Sequence, residues 1–193
     1  MELFEAIAGR RSIRKYKDTP IAEDDIRDII NAGCMAPSGT NIQPWYYVAI
    51  SNPEALRELR EIAAKGAQGF LPKLAERFKE HPEVIKTTMS FVSNMGNAPL
   101  VILAFLRIND AAGRRDTMIQ SVAAGIQNMM LAAYSKGIGS CWMTALVTGG
   151  VGPLVKERFA PDRGDLVATI TFGYPDQEVK APKRKDDRYE III

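Results

Sequence analysis

The chain has 193 residues, 46% hydrophobic and 25% charged, the make-up of a folded globular protein and not of a disordered one. Lys and Arg number 25 against 23 Asp and Glu, and the net charge of +2 argues against a protein-wide nucleic-acid footprint. Two distant cysteines, Cys34 and Cys141, and a single histidine, His81, exclude a disulfide framework, a multi-histidine zinc centre and any relay that needs two histidines.

The length predicts one domain over residues 1–193. Leu3, Phe4 and Ile7 share a face of a short first helix ending near Gly9. The start, Met1-Glu2-Leu3-Phe4-Glu5, lacks the basic-then-apolar order of a secretory signal, so a cytoplasmic protein is expected. Arg10 to Lys17 follows, with five cations in eight residues. Ile26, Ile29 and Ile30 mark a second helix, with Glu23, Asp24 and Asp25 in its first turn and a stop near Gly33. Trp45 to Ile50 reads as a strand. Asn52-Pro53 then starts a helix through Leu56, Leu59, Ile62 and Ala63.

Gly66 to Pro72 is expected as a loop, with short helical pieces at Leu74 to Phe78 and Glu83 to Met89. The longest apolar run, Ala98 to Leu106, contains Pro99 and is far short of the ~20 residues that span a bilayer. Within it, Leu100 to Leu106 reads as a central strand buried on both faces. Arg114 to Lys136 is the longest helical pattern, apolar on most sides, and Gly137 stops it. Ile138 to Leu146 reads as a strand and turn, Val151 to Phe159 as a helix, and Leu166 to Phe172 as the last, alternating strand. Interleaved helices and strands make a mixed α/β or α+β fold.

Four segments carry candidate chemistry. In extended backbone Arg10, Ser12 and Arg14 of Arg10-Arg11-Ser12-Ile13-Arg14 point one way and suit one phosphate-like anion, where the plainer alternative is a solvated basic face. Pro37-Ser38-Gly39-Thr40-Asn41-Ile42-Gln43-Pro44-Trp45 is a rigid loop of neutral hydrogen-bonding groups beside an aromatic. It suits a flat polar heterocycle or a polyol, or else it caps its own backbone. Gly137-Ile138-Gly139-Ser140-Cys141-Trp142-Met143-Thr144-Ala145 lacks the third glycine of a dinucleotide fingerprint. It reads as a tight crossover or as backbone facing a ligand near Thr144 and Ala145. Cys141 reads as a packed small residue, because no adjacent residue lowers its pKa. Lys180-Ala181-Pro182-Lys183-Arg184-Lys185 is a second basic cluster, by default a solvated terminal tail and otherwise a second anion-facing group. His81 reads as a surface loop residue, and no metal site is expected.

Together and in this order, the four segments resemble the nitroreductase family of flavin-dependent oxidoreductases, over nearly the whole chain from Phe4 to Lys185. The resemblance implies an α+β, nitroreductase-like fold, with a central, mostly antiparallel sheet flanked by helices, in an intertwined homodimer. FMN sits at the subunit interface. Arg10, Arg11, Ser12, Arg14, Lys183 and Lys185 would bind its phosphate and edge. Pro37, Ser38, Gly39, Asn41 and Gln43 would come from the other subunit, and the backbone near Thr144 and Ala145 would approach flavin N5. Some members carry Glu-Gly where Thr144-Ala145 stand. Residues 66–82 match no family word; Phe70, Phe78 and Phe91 read as core packing first and as candidate lid residues second. The tail, 174–193, ending in three isoleucines, would pack on the partner.

The implied activity is an FMN-dependent, ping-pong transfer of hydride from NADH or NADPH through flavin N5 to a small acceptor, such as a nitroaromatic, a quinone or an enone. No side chain would act as acid, base or nucleophile. Arg14 would support the reduced flavin electrostatically. The alternatives are another reaction on the same flavin scaffold, a flavin- or anion-binding module without turnover, and, less compatible with the net charge, a nucleic-acid binder.

Overall fold

The computed structural model describes residues 1–110 and 112–193. In chain order its elements are α1 (Leu3–Gly9), α2 (Glu23–Cys34), β1 (Trp45–Ile50), α3 (Pro53–Arg77), α4 (Pro82–Asn94), β2 (Leu100–Leu106), α5 (Arg115–Ser135), β3 (Gly139–Met143), α6 (Ala145–Thr148), α7 (Gly152–Phe159) and β4 (Leu166–Gly173). The four strands form one sheet in the order β1-β2-β4-β3, with every neighbouring pair antiparallel. Trp45 pairs with Leu106, Leu100 with Phe172, and Gly139 with Gly173. The fold is therefore α+β.

The side-chain period of a strand divides the core in two. From β2, Val101, Leu103 and Phe105 pack with Leu59 of α3, Val92 of α4, Leu146 of α6 and Val155 of α7. Leu100, Ile102, Ala104 and Leu106 pack with Ile29 of α2 and with Val122, Ile126 and Met129 of α5. All seven residues of β2 are buried, as an uninterrupted apolar run requires of a strand covered on both faces. Each such Leu or Ile contributes about 1.5–3 kcal/mol. β4 is also covered on both faces, so its alternation of Thr and apolar residues leaves Thr169 and Thr171 buried and not solvated.

Residues 66–72 are not a loop. α3 continues through them as one 25-residue helix, longer than the 21-residue α5. Asn52 starts it by accepting from the Glu54 and Ala55 N–H groups at 3.0 and 3.1 Å. Gly66 and Gly69 are there for approach. A Cβ on Gly69 would stand 2.3 Å from the Gly149 carbonyl, and one on Gly66 would stand 2.6 Å from Val151. α4 likewise runs past Met89 to Asn94. The apolar face of α1 turns outward: Leu3, Phe4 and Ile7 are exposed and only Ala6 is buried. None of the helices described is long and apolar enough to cross a membrane.

These contacts reverse the usual sign of a glycine substitution. On an open helix surface Gly→Ala stabilises by about 0.5–1 kcal/mol. Gly69→Ala is expected to destabilise by about 1–3 kcal/mol through overpacking against Gly149. The urea midpoint of unfolding measures it.

Candidate functional site

After α1 the chain runs extended along the free edge of β3. The Ile13 N–H donates to the Ser140 carbonyl at 2.9 Å, and Ser12 pairs with Ser140 as a parallel bridge. On its other side the segment meets the start of the tail. Lys17 N–H donates to the Tyr174 carbonyl at 2.9 Å, Asp176 N–H to the Lys15 carbonyl at 3.0 Å, and Arg14 N–H to Gln177 Oε1 at 3.0 Å. Ile13 and Tyr16 are buried beneath it. The Lys15 ammonium, 2.8 Å from Asp176, hydrogen-bonds its carboxylate and holds it below the usual range. A depressed carboxyl keeps this contact at neutral pH and loses it only in acid, as the pH falls through that lowered value.

Between segment and tail lies a cleft of about 320 Å³. Arg10, Arg11, Ser12 and Arg14 line one side, and Val179, Lys180, Pro182 and Arg184 the other. Among the described residues none of these cations forms an ion pair. Arg11 gives one nitrogen to the Ala8 and Arg10 carbonyls at 2.6 and 2.7 Å, while the buried Nε atoms of Arg10 and Arg11 have no partner. Lys183 and Lys185 are exposed and are not among the lining residues; Lys180 and Arg184, which with Pro182 take the alternate positions of the tail, are.

A second cavity, about 610 Å³, opens on the far side of Arg14 against Lys15, Lys86, Ser90, Phe91 and Asn94. The Arg14 guanidinium lies 5.8 Å from the Phe91 ring centroid, so it is the wall between the two spaces. The sequence reading named Phe91 of α4 only as a candidate lid residue and did not place α4 beside Arg14. The available signal was the turn-like run Asn94-Met95-Gly96-Asn97. Gly96, at φ +62°, brings its Cα so close to the Arg14 carbonyl that a Cβ would stand 2.5 Å away.

Within the loop after α2, Ser38 Oγ accepts from Gln43 N–H at 3.0 Å, and Gln43 Nε2 donates to Asn41 Oδ1 at 3.1 Å. Thr40, Asn41 and Gln43 all have positive φ. Pro37 and Gly39 are exposed, and a Cβ on Gly39 would touch Thr117 at the start of α5. Gly9, at the end of α1, instead packs on Tyr134 near the end of α5. The helical rise puts Thr117 and Tyr134 about 25 Å apart. One chain therefore does not bring residues 37–43 to residues 10–14.

Thr144 follows the far end of β3, about 13 Å along the strand from Ser140. It is exposed, its carbonyl accepts from Thr148 N–H at 2.9 Å, and Ala145 behind it is buried. Cys141, between these ends, does have cations nearby: Arg14 and Arg10, together with the Ser12 hydroxyl, pull its thiol down, but burial outweighs them and pushes it up. It remains a packed thiol. His81 is exposed beside Glu83. Among the described residues no cluster of His, Cys, Asp and Glu is arranged to hold a metal.

The family model described as the nitroreductase family matches residues 7–174. An Archaeoglobus fulgidus protein, provisionally named an NADH dehydrogenase/NAD(P)H nitroreductase, is 28% identical over 97% of this chain and 93% of its own. Iodotyrosine deiodinase 1 of Rattus norvegicus is 25% identical over 100% of this chain and 68% of its own. The crystal structure of a nitroreductase with bound FMN from Bacteroides fragilis shares the fold, with a TM-score of 0.73 and 24% identity over 100% and 99% of the two chains.

The lining predicts which tail cations matter. Lys180→Ala and Arg184→Ala are each expected to weaken inorganic phosphate binding about tenfold, and Lys183→Ala and Lys185→Ala by less than about twofold. Isothermal titration of the four variants reads the difference.

Proposed function

The chain belongs to the nitroreductase family, and from that premise we propose that it is an FMN-dependent NAD(P)H oxidoreductase. The observation that carries this is the cleft where Arg10, Arg11, Arg14, Lys180 and Arg184 converge without a carboxylate, two of them with buried, unpartnered Nε atoms. A dianionic phosphate ester satisfies both the charge and the donors. Bound FMN supplies the redox chemistry, taking two electrons from NADH or NADPH and giving them to a small oxidised acceptor, a nitroaromatic, quinone or enone, that replaces the spent nicotinamide in a ping-pong sequence.

The chain's own part is to bind, orient and polarise. Arg10, Ser12, Lys180 and Arg184 hold the phosphate, with Lys183 and Lys185 adding to the local positive potential. Arg14, between the two spaces and stacked toward Phe91, sits where a cation favours negative charge on the flavin ring. Thr144 and Ala145, at the other end of the edge strand, offer backbone to the reacting edge of the ring.

The working unit in this reading is a homodimer. Pro37, Ser38, Gly39, Asn41 and Gln43 reach a flavin only from a second copy, because α5 separates them from Arg10–Arg14 by its own length. The exposed Leu3, Phe4 and Ile7 and the terminal Ile191, Ile192 and Ile193 supply apolar surface for that second copy. The deiodinase relatives support a second reading, in which the same scaffold reduces a carbon–halogen bond.

The purified protein is expected to be yellow and to bleach anaerobically with NADH or NADPH. A colourless protein that FMN cannot reconstitute removes the assignment. Parallel double-reciprocal plots with a quinone or nitroaromatic check the ping-pong order, and turnover of a halogenated phenol alone favours the second reading. Arg14→Ala is expected to weaken FMN binding about tenfold or more and to make the flavin harder to reduce. Phe4→Asp is expected to shift the protein toward monomer in sedimentation analysis and to lower its flavin content.

A further inference from the structure

The backbone before Arg14 is held in an unusual way. The Ile13–Arg14 peptide group belongs to no helix or strand, yet both of its polar ends are fixed by side chains. Its N–H donates to Gln177 Oε1 at 3.0 Å. Its carbonyl accepts from the Tyr16 hydroxyl at 2.5 Å. A carbonyl can only accept, so the phenol spends its one hydrogen there. The 2.7 Å contact between Tyr16 Oη and Thr171 Oγ1 is then donated by the threonine. Tyr16 is buried, and burial raises its pKa, so the phenol stays a donor throughout the working pH range. Thr171 is buried on β4 and anchors it to the centre of the sheet.

Fixing both ends of a peptide plane fixes the N–Cα bond of the residue after it, the axis from which that residue's side chain leaves the backbone. We propose that Tyr16 and Gln177 are positioning residues that lock the Ile13–Arg14 peptide plane and thereby aim the Arg14 guanidinium along the wall between the two cavities. Tyr16 does so from the core and Gln177 from the tail, so tail docking and the aim of Arg14 are coupled. The proposal rests on the reading of Arg14 as the cation beside the flavin, and it adds the two residues that decide where that charge stands. A Coulombic effect falls with distance, so a misaimed Arg14 weakens its influence on the flavin without removing its charge.

The test uses FMN-loaded Tyr16→Phe, Gln177→Ala, Arg14→Ala and Tyr16→Phe/Arg14→Ala, each read by flavin midpoint potential, FMN dissociation constant and melting temperature of the apoprotein. Tyr16→Phe and Gln177→Ala are each expected to raise the dissociation constant about three- to tenfold. Both are expected to move the potential negative, in the direction of Arg14→Ala. Adding Tyr16→Phe to Arg14→Ala is expected to leave the potential where Arg14→Ala alone put it. A Tyr16→Phe protein that melts earlier but keeps the wild-type potential would overturn the proposal while leaving Arg14 at the flavin, and so would additive shifts in the double variant. If Arg14→Ala itself leaves potential and affinity unchanged, the reading of Arg14 falls and the positioning role with it. Should Tyr16→Phe fail to fold, Gln177→Ala, on the surface tail, reads the other end of the same peptide: an unchanged potential there overturns the proposal equally.

Discussion

Like charges repel, and this molecule gathers Arg10, Arg11, Arg14, Lys180 and Arg184 around one small cleft with no carboxylate among them. Such an arrangement persists only if the backbone carrying it is held by something stronger than the repulsion. The free edge of the antiparallel sheet supplies that hold: Ser140 takes up Ile13, Tyr174 and Asp176 take up Lys17 and Lys15, and the buried Ile13 and Tyr16 anchor the segment from below. The doubly covered strand β2 makes the sheet rigid, and the sheet makes the edge a fixed platform. The basic cleft is thus a consequence of core packing one layer away.

The same core separates functions along the chain. α5 lies across one face of the sheet with α1 at its end and the loop after α2 at its start. Its length sets the distance between the basic cleft and residues 37–43. In the proposed homodimer that distance is spanned by symmetry, with each copy completing the other's site. Gly33 and Gly125, where α2 and α5 cross, keep the crossing tight, since a Cβ on Gly125 would stand 2.8 Å from the Gly33 carbonyl.

Much of this was legible in the sequence wherever local chemistry and tertiary environment agree. Leu100–Leu106 had to be a covered strand, because seven successive apolar residues leave no solvated face. Asn52-Pro53 had to begin a helix. Arg10, Ser12 and Arg14 share a cleft, as extended spacing predicts, but Arg11 lines it too, its guanidinium turned back onto the Ala8 and Arg10 carbonyls. The reading failed at residues 66–72, where Gly66, Gly69 and Pro72 signal a break. Those glycines answer to Val151 and Gly149, partners some eighty residues away that no local window contains. Phe91 and Asn94 were missed as neighbours of Arg14 for the same reason. The tail register was invisible, since which alternate cations face the cleft depends on how Gln177 and Asp176 dock.

Pro72 has a consequence of its own for α3. Lacking an N–H, it leaves the Gln68 carbonyl without its helical donor, and it does so beside two glycines that favour the helix least. Geometrically α3 is one rod, but energetically it has two parts. The first, through Ala63, is welded to the core by Leu56, Leu59 and Ala63; the second, after Pro72, buries only Leu74, which joins neither core cluster. Amide hydrogens beyond Pro72 therefore belong to a lower-lying opening unit than those before Gly66, and exchange with solvent through partial unfolding that leaves the sheet intact.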